Sequence, residues 1–282
     1  MKNLNVYNRN VHDFLDDIVR SKKHTQKDPN FKQRLALLIP NVNACYDLYN
    51  IAHDANNHVS LIAHGYIGQD QNDLLKLYNS KAVKLVNFKN DATTVLDNRA
   101  STICQYCTIN SANTLDHIIP KVEFVEFAVN PKNLLPACSE CNGYKLDRFK
   151  NNQDRLFLNL YTDLLPSVQY LFADVIIINN IVEVDFRLSN VNNIDPRLFR
   201  LLESHYEKLH LFRRFKSKSN TIISEMINSI NASINQISRQ TFIDITLDKI
   251  NRDKLLHGHN HYKLILEEAL INNNAYLSQY FP

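Results

Sequence analysis

The stretch CQYCTINSANTLDHIIPKVEFVEFAVNPKNLLPACSECNGYK, residues 104–145, holds four of the chain's five cysteines and an Asp–His pair set among isoleucines. Thirty residues separate Cys104-x2-Cys107 from Cys138-x2-Cys141. Two such pairs read as four thiolates around one Zn²⁺. Disulfides and redox pairs are the alternatives. A reducing compartment argues against the first, and two pairs rather than one argue against the second. The gap is longer than a zinc ribbon's, so a small structure is expected inside the loop. Four thiolates leave no open coordination position, which makes this a structural zinc and not a catalytic one. Within the loop, Asp116 and His117 interrupt an apolar run, TLDHIIPK. Burying them is costly unless both are satisfied. On a strand they would point to opposite faces and could do different work.

Taken in order, these pieces resemble the HNH endonucleases, in their zinc-knuckle branch of the ββα-metal nucleases. The pattern there is CxxC, a strand ending in D/H-H-I-x-P, an Asn in N-L-x-x, and CxxCN-x-x-K opening a helix. Every element is present here in that order. The resemblance implies a β-hairpin with Asp116 and His117 at the end of its first strand, then a helix beginning near Cys138. It implies that Asp116 binds a divalent cation and that His117 is the general base for the attacking water. Asn142 would supply a second metal ligand through its amide oxygen. Asn133 would hold the loop and orient the His117 imidazole. Lys145 is expected either to reach a phosphate or to be a solvated helix lysine. Carboxylate and amide oxygens are hard ligands, suited to Mg²⁺ or Mn²⁺. Many family members carry His where this chain has Asn142, so Ni²⁺ or Zn²⁺ is expected to support activity poorly.

The implied reaction is phosphodiester hydrolysis in DNA, with RNA left open, giving 5′-phosphate and 3′-hydroxyl ends. The downstream block resembles that of stand-alone bacterial HNH proteins. Chains of this architecture resemble the nuclease subunits of anti-phage systems such as Septu and some retrons, which implies an ABC-type ATPase partner. A homing or restriction-type nuclease is the competing biology. From a different class, a non-catalytic zinc-stapled nucleic-acid-binding or scaffold module would tolerate loss of Asp116, His117 and Asn142.

Outward from this stretch, the expected fold is mainly α, with a central zinc-stapled ββα-metal module and a β-hairpin after it. Three regions are expected: helical residues 1–95 for partner or substrate docking, the nuclease module at 96–152, and a hairpin with helices at 153–282. VHDFLDDIVRS has a helical stripe at Val11, Phe14, Leu15, Ile18 and Val19. Helical pattern continues through residues 31–54, with Pro40 marking a break or kink. Another helix is expected over 69–88, capped by Asp70 or Asn72, after the loop AHGYIGQD. Asn179–Asn180, between two β-rich runs, signals a hairpin. Helical periodicity returns from Pro196 to about Ile237, and a last helix covers 261–280.

Net charge is only +3, so nucleic-acid binding is not announced globally. Lys145, Arg148 and Lys150, and Arg213, Arg214, Lys216 and Lys218, cluster locally; each set reads as a solvated helix face or as a contact to DNA or a partner. Cys45 reads as core packing. His257, His259 and His261 lie in a loop before the last helix, and His205 and His210 read as packing or surface residues. No segment is apolar enough to span a bilayer, and the opening residues lack a secretory h-region, so a cytoplasmic location is the default expectation.

Overall fold

The computed structural model describes residues 1–23, 26–93, 102–152 and 154–281. Helix α1, Val11–Ser21, forms where its apolar stripe predicts. The Asn10 side chain accepts from the His12 N–H to cap it, and Val11, Phe14, Leu15 and Ile18 are buried. Helix α2, Phe31–Asp54, runs unbroken through Pro40. The expected break is absent because the buried row Leu35, Leu38, Val42, Cys45, Tyr46 and Tyr49 continues on both sides of the proline. Tertiary packing therefore holds the helix across one missing N–H.

The helix expected over 69–88 is two helices, α3 (Gly68–Leu75) and α4 (Val83–Thr93). Between them, Asn79 accepts from the Lys81 N–H at 3.0 Å, an asparagine turn that competes with the helical ladder. Neither Asp70 nor Asn72 caps α3. Ile67 occupies the cap position without a side-chain bond.

The cysteine-bracketed stretch supplies strand β1, Thr114–His117, and strand β2, Leu134–Ala137. They pair antiparallel with Asp116 opposite Leu135 and His117 opposite Leu134. Helix α5, Ser139–Lys145, follows at once. Strands β3 (Lys150–Asn151) and β4 (Asp154–Arg155) then form a two-rung ladder.

The chain divides into two compact units. The first comprises 3–106 and 110–164. Its core is continuous, with Leu15, Leu35, Tyr46, Leu74 and Leu85 of α1–α4 in the same cluster as Leu115, Phe124, Phe127, Leu134 and Phe149. Each such side chain contributes about 1.5–3 kcal/mol by leaving water. The boundary expected at 95/96 lies outside the described residues, and this core extends on both sides of it.

The second unit comprises 1–2, 107–109 and 165–282. Strands β5, Leu171–Ile178, and β6, Ile181–Leu188, form the expected hairpin. Asn179 and Asn180 both adopt left-handed conformations, φ 50° and 64°, as the two-residue turn requires. The helical stretch expected over 196–237 is α6 (Pro196–Lys208) and α7 (Leu211–Ser233), interrupted by His210 at φ 52°. Helix α8, Arg239–His257, was not expected. Only Phe242, Ile250 and Lys254 are buried along it, too sparse a pattern to show as a periodic stripe. The last helical stretch is α9 (Tyr262–Ile271) and α10 (Asn274–Leu277). Phe215 of α7 stacks on Tyr262 of α9 with centroids 4.8 Å apart. The basic run on α7 is not one face: Arg214 is buried and donates to the Leu209 carbonyl, while Lys216 pairs with Asp185. Among the described residues, no helix is long and apolar enough to cross a membrane.

Candidate active site

The four cysteines converge. The Sγ atoms of Cys104, Cys107, Cys138 and Cys141 lie within 4.8 Å of one another, and all four residues are buried. None is in a disulfide. Zn–S bonds of about 2.3 Å in a tetrahedron need sulfurs about 3.8 Å apart, a spacing this cluster accommodates. Backbone N–H groups already point at two of them: Ile109 donates to Cys107 Sγ and Cys141 to Cys138 Sγ, each at 3.4 Å. Such donors favour the thiolate form. The donor set fits Zn²⁺, with every ligand position filled by protein.

Beside the cluster, β1 and the first turns of α5 form the walls of a cavity of about 420 Å³. Asp116, His117 and Asn142 all line it, together with Tyr78 and Lys121. The sequence motif thus becomes a single place: two neighbouring residues from a strand end, and one from the helix that the cysteines hold.

Asp116 is only 2% exposed. Tyr106 Oη donates to its Oδ2 at 3.1 Å, and Lys145 Nζ lies 3.3 and 3.4 Å from its two oxygens. Burial raises its carboxyl above the ordinary range, while the Lys145 ammonium and the Tyr106 hydroxyl pull it back. A carboxylate offers about four lone pairs, so these donors leave acceptor capacity unused.

Lys145 departs from both expectations of it. It is 1% exposed, neither solvated nor among the residues lining the cavity. Its ammonium is turned inward, to Asp116 and to the His117 carbonyl at 2.5 Å. The reason is electrostatic: a buried carboxylate needs a counter-charge, and Lys145 is the cation beside it.

His117 presents one nitrogen to the protein. Nε2 lies 2.9 Å from the Ala128 carbonyl, which can only accept, so Nε2 carries the hydrogen. The neutral ring then holds its lone pair on Nδ1. Burial pushes the imidazole pKa down to about 3, with the Ala128 bond opposing, so the ring is neutral at physiological pH. The Tyr78 ring packs edge-on against it, centroids 4.6 Å apart.

Asn133 is fully buried and ties the loop between the strands. Its amide donates to the Ile119 and Phe127 carbonyls, and its oxygen accepts from the Ile119 N–H and from Tyr49 Oη of α2. The direct partner of the His117 ring is the Ala128 carbonyl, so any effect of Asn133 on the imidazole passes through the loop it holds. Asn142 is half-buried, and among the described residues its side-chain amide has no hydrogen-bond partner. Asp116 and Asn142 therefore offer hard oxygen donors to one cavity, a set that fits a divalent cation such as Mg²⁺ or Mn²⁺.

Two cavity residues carry no sequence signal of their own. Tyr78 comes from the break between α3 and α4, far from the motif. Lys121 follows Pro120 directly, and position next to the motif is its only marker. The histidine tract at 257–261 forms no metal-holding group. Among the described residues, the four cysteines are the one cluster of three or more suitable ligands. The tract's structural contribution is Asn260, whose side chain accepts from the Tyr170 and Leu171 N–H groups and donates to the Val168 carbonyl.

Comparison with known proteins places a family on this geometry. Residues 104–148 match the HNH endonuclease family. That span holds all four cysteines, both strands and α5. The HNH match supports nuclease activity in general and implies a nucleic-acid substrate. Protein ea31 of Escherichia phage lambda is 23% identical over 186 residues, covering 61% of this chain and 62% of that protein. The match thus spans less than two thirds of the curated relative's length. No solved structure matches.

Proposed function

We propose that the HNH segment hydrolyses phosphodiester bonds in DNA, with His117 as general base and Asp116 and Asn142 as ligands for Mg²⁺ or Mn²⁺. One observation carries this reading: a neutral imidazole with its lone pair on Nδ1, a carboxylate and an amide oxygen share one cavity. Nδ1 takes the proton of the attacking water, and the Ala128 carbonyl holds the ring while it gains charge. Asp116 and Asn142 would hold the metal, which would supply Lewis-acid help to the phosphate and the departing 3′ oxygen. Lys145 and Tyr106 hold the Asp116 carboxyl in place and oppose the upward shift that burial gives it. The ends produced are 5′-phosphate and 3′-hydroxyl, one strand per engagement.

The ion pair between Asp116 and Lys145 favours a second reading, because it satisfies the carboxylate without a metal. A zinc-stapled scaffold that binds nucleic acid without cutting it has the same need. Nicking of supercoiled plasmid with Mg²⁺ or Mn²⁺ separates the two. The wild-type chain is expected to nick, and His117→Ala to lose about 10²–10⁴-fold while still showing a cooperative melting transition. Plasmid left intact by wild type favours the scaffold. A His117→Ala protein as active as wild type removes His117 from the mechanism.

An anti-phage role with an ABC-type ATPase rests on the family resemblance alone. A curated relative encoded by a phage lends it no support.

A further inference from the structure

The cavity contains a cation that the motif does not assign. Among the described residues lining it, Lys121 is the one lysine or arginine. It is half-buried, and among the described residues no carboxylate lies within ion-pair distance of it. Its ammonium rests 4.2 Å from the centroid of the Tyr78 ring. That ring is itself fixed at two points: its edge packs on His117, and its hydroxyl donates to the Leu115 carbonyl at 3.1 Å. The aromatic face thus holds the charge at a set place relative to the imidazole.

The other cations of this stretch are engaged elsewhere. Lys145 is inside, on Asp116. Lys132 pairs with Asp54, and Lys150 donates to the Val59 carbonyl. Arg148, just past α5, turns back to the Tyr144 and Lys145 carbonyls of that helix. Burial lowers the Lys121 pKa below its ordinary value, and Asp147, which lines the same cavity, and Asp116 oppose that shift. A partly desolvated ammonium without an ion pair is costly until an anion reaches it.

We propose that Lys121, held on the face of Tyr78, binds a backbone phosphate of DNA beside the bond to be cut, the contact that sequence pattern alone assigns to Lys145. The inference rests on the nuclease reading and names how the substrate is held. A contact of this kind positions the strand and reads no base. Tyr78 comes from the helical N-terminal region, so that region forms part of the substrate wall.

The test is the salt dependence of binding, measured on chains with His117 intact and with no Mg²⁺ or Mn²⁺ added, so that DNA stays uncut and the Tyr78 ring keeps its packing on His117. Each phosphate contact contributes about 0.9 to the slope of log K against log salt on duplex DNA. Lys121→Met, which keeps an apolar stem against Tyr78, is expected to reduce the slope by about 0.9. Lys121→Gln should do the same, and Lys121→Arg should restore it. Lys81→Gln, an exposed lysine outside the cavity, should leave it unchanged. An unchanged slope in Lys121→Met and Lys121→Gln, in a chain whose wild type nicks plasmid, overturns this assignment alone. An equal fall with Lys81→Gln also overturns it, by showing a general charge effect. A chain that neither binds nor cuts DNA overturns the nuclease reading and this inference together.

Discussion

The β5–β6 hairpin has eight residues in each strand, closes on Asn179–Asn180, and leaves Ile176, Ile178 and Ile181 facing out. The β1–β2 hairpin has four in each strand, is closed by residues 118–133, and buries Asp116 and His117. The first is specified locally: a two-residue turn of left-handed asparagines and β-rich flanks suffice to set its register. The second has almost no local specification. Its register depends on Asn133 pinning the connection and on the thiolate cluster that holds the following helix. The candidate chemistry sits in the second. A tight hairpin leaves no room beside its strands, whereas a long, pinned connection can form one wall of a cavity.

Three substitutions press on that contrast. Cys138→Ser should have the largest effect, because a structural Zn²⁺ site is worth on the order of 10 kcal/mol of folding free energy. Zinc content is expected to fall, and hydrogen exchange to accelerate much more in β1–β2 than in β5–β6. Equal acceleration in both would mean that the two hairpins are not specified separately. Asn133→Ala comes next. It strands the Ile119 N–H and two carbonyls inside the protein, and should cost about 3 kcal/mol in denaturant titration. A cost below about 0.5 kcal/mol would show that the connection holds without it. Asn180→Gly is the smallest. Glycine at φ 64° removes the residual strain of a left-handed asparagine and should add about 0.5 kcal/mol. Destabilisation there would mean that the asparagine side chain does more than permit the turn.

Legibility in the sequence followed the same division. Helix α1 and the β5–β6 turn were readable because an apolar stripe and an Asn–Asn pair act over a few residues. The cysteine cluster and the grouping of Asp116, His117 and Asn142 were readable because an ordered motif encodes them. What was not readable depends on long-range packing. Pro40 does not break α2, because buried side chains on both sides outweigh one lost hydrogen bond. Lys145 turns inward because its partner arrives from another strand. Tyr78 joins the cavity from the α3–α4 break, and nothing near residue 78 signals it. Helix α8 lacks a periodic stripe because so few of its residues are covered.

The hydrogen bond from Tyr49 to Asn133 bears on any attempt to transplant the HNH-matching segment. A graft of residues 104–148 into another scaffold would carry the four clustered cysteines, Asp116, His117 and Asn142. It would leave behind Tyr49, which closes the Asn133 amide, and Tyr78, which backs the imidazole. Such a chimaera should still take up zinc, yet hold the His117 imidazole loosely. The motif is portable as a sequence, but the rigidity of its site belongs to helices that lie outside it.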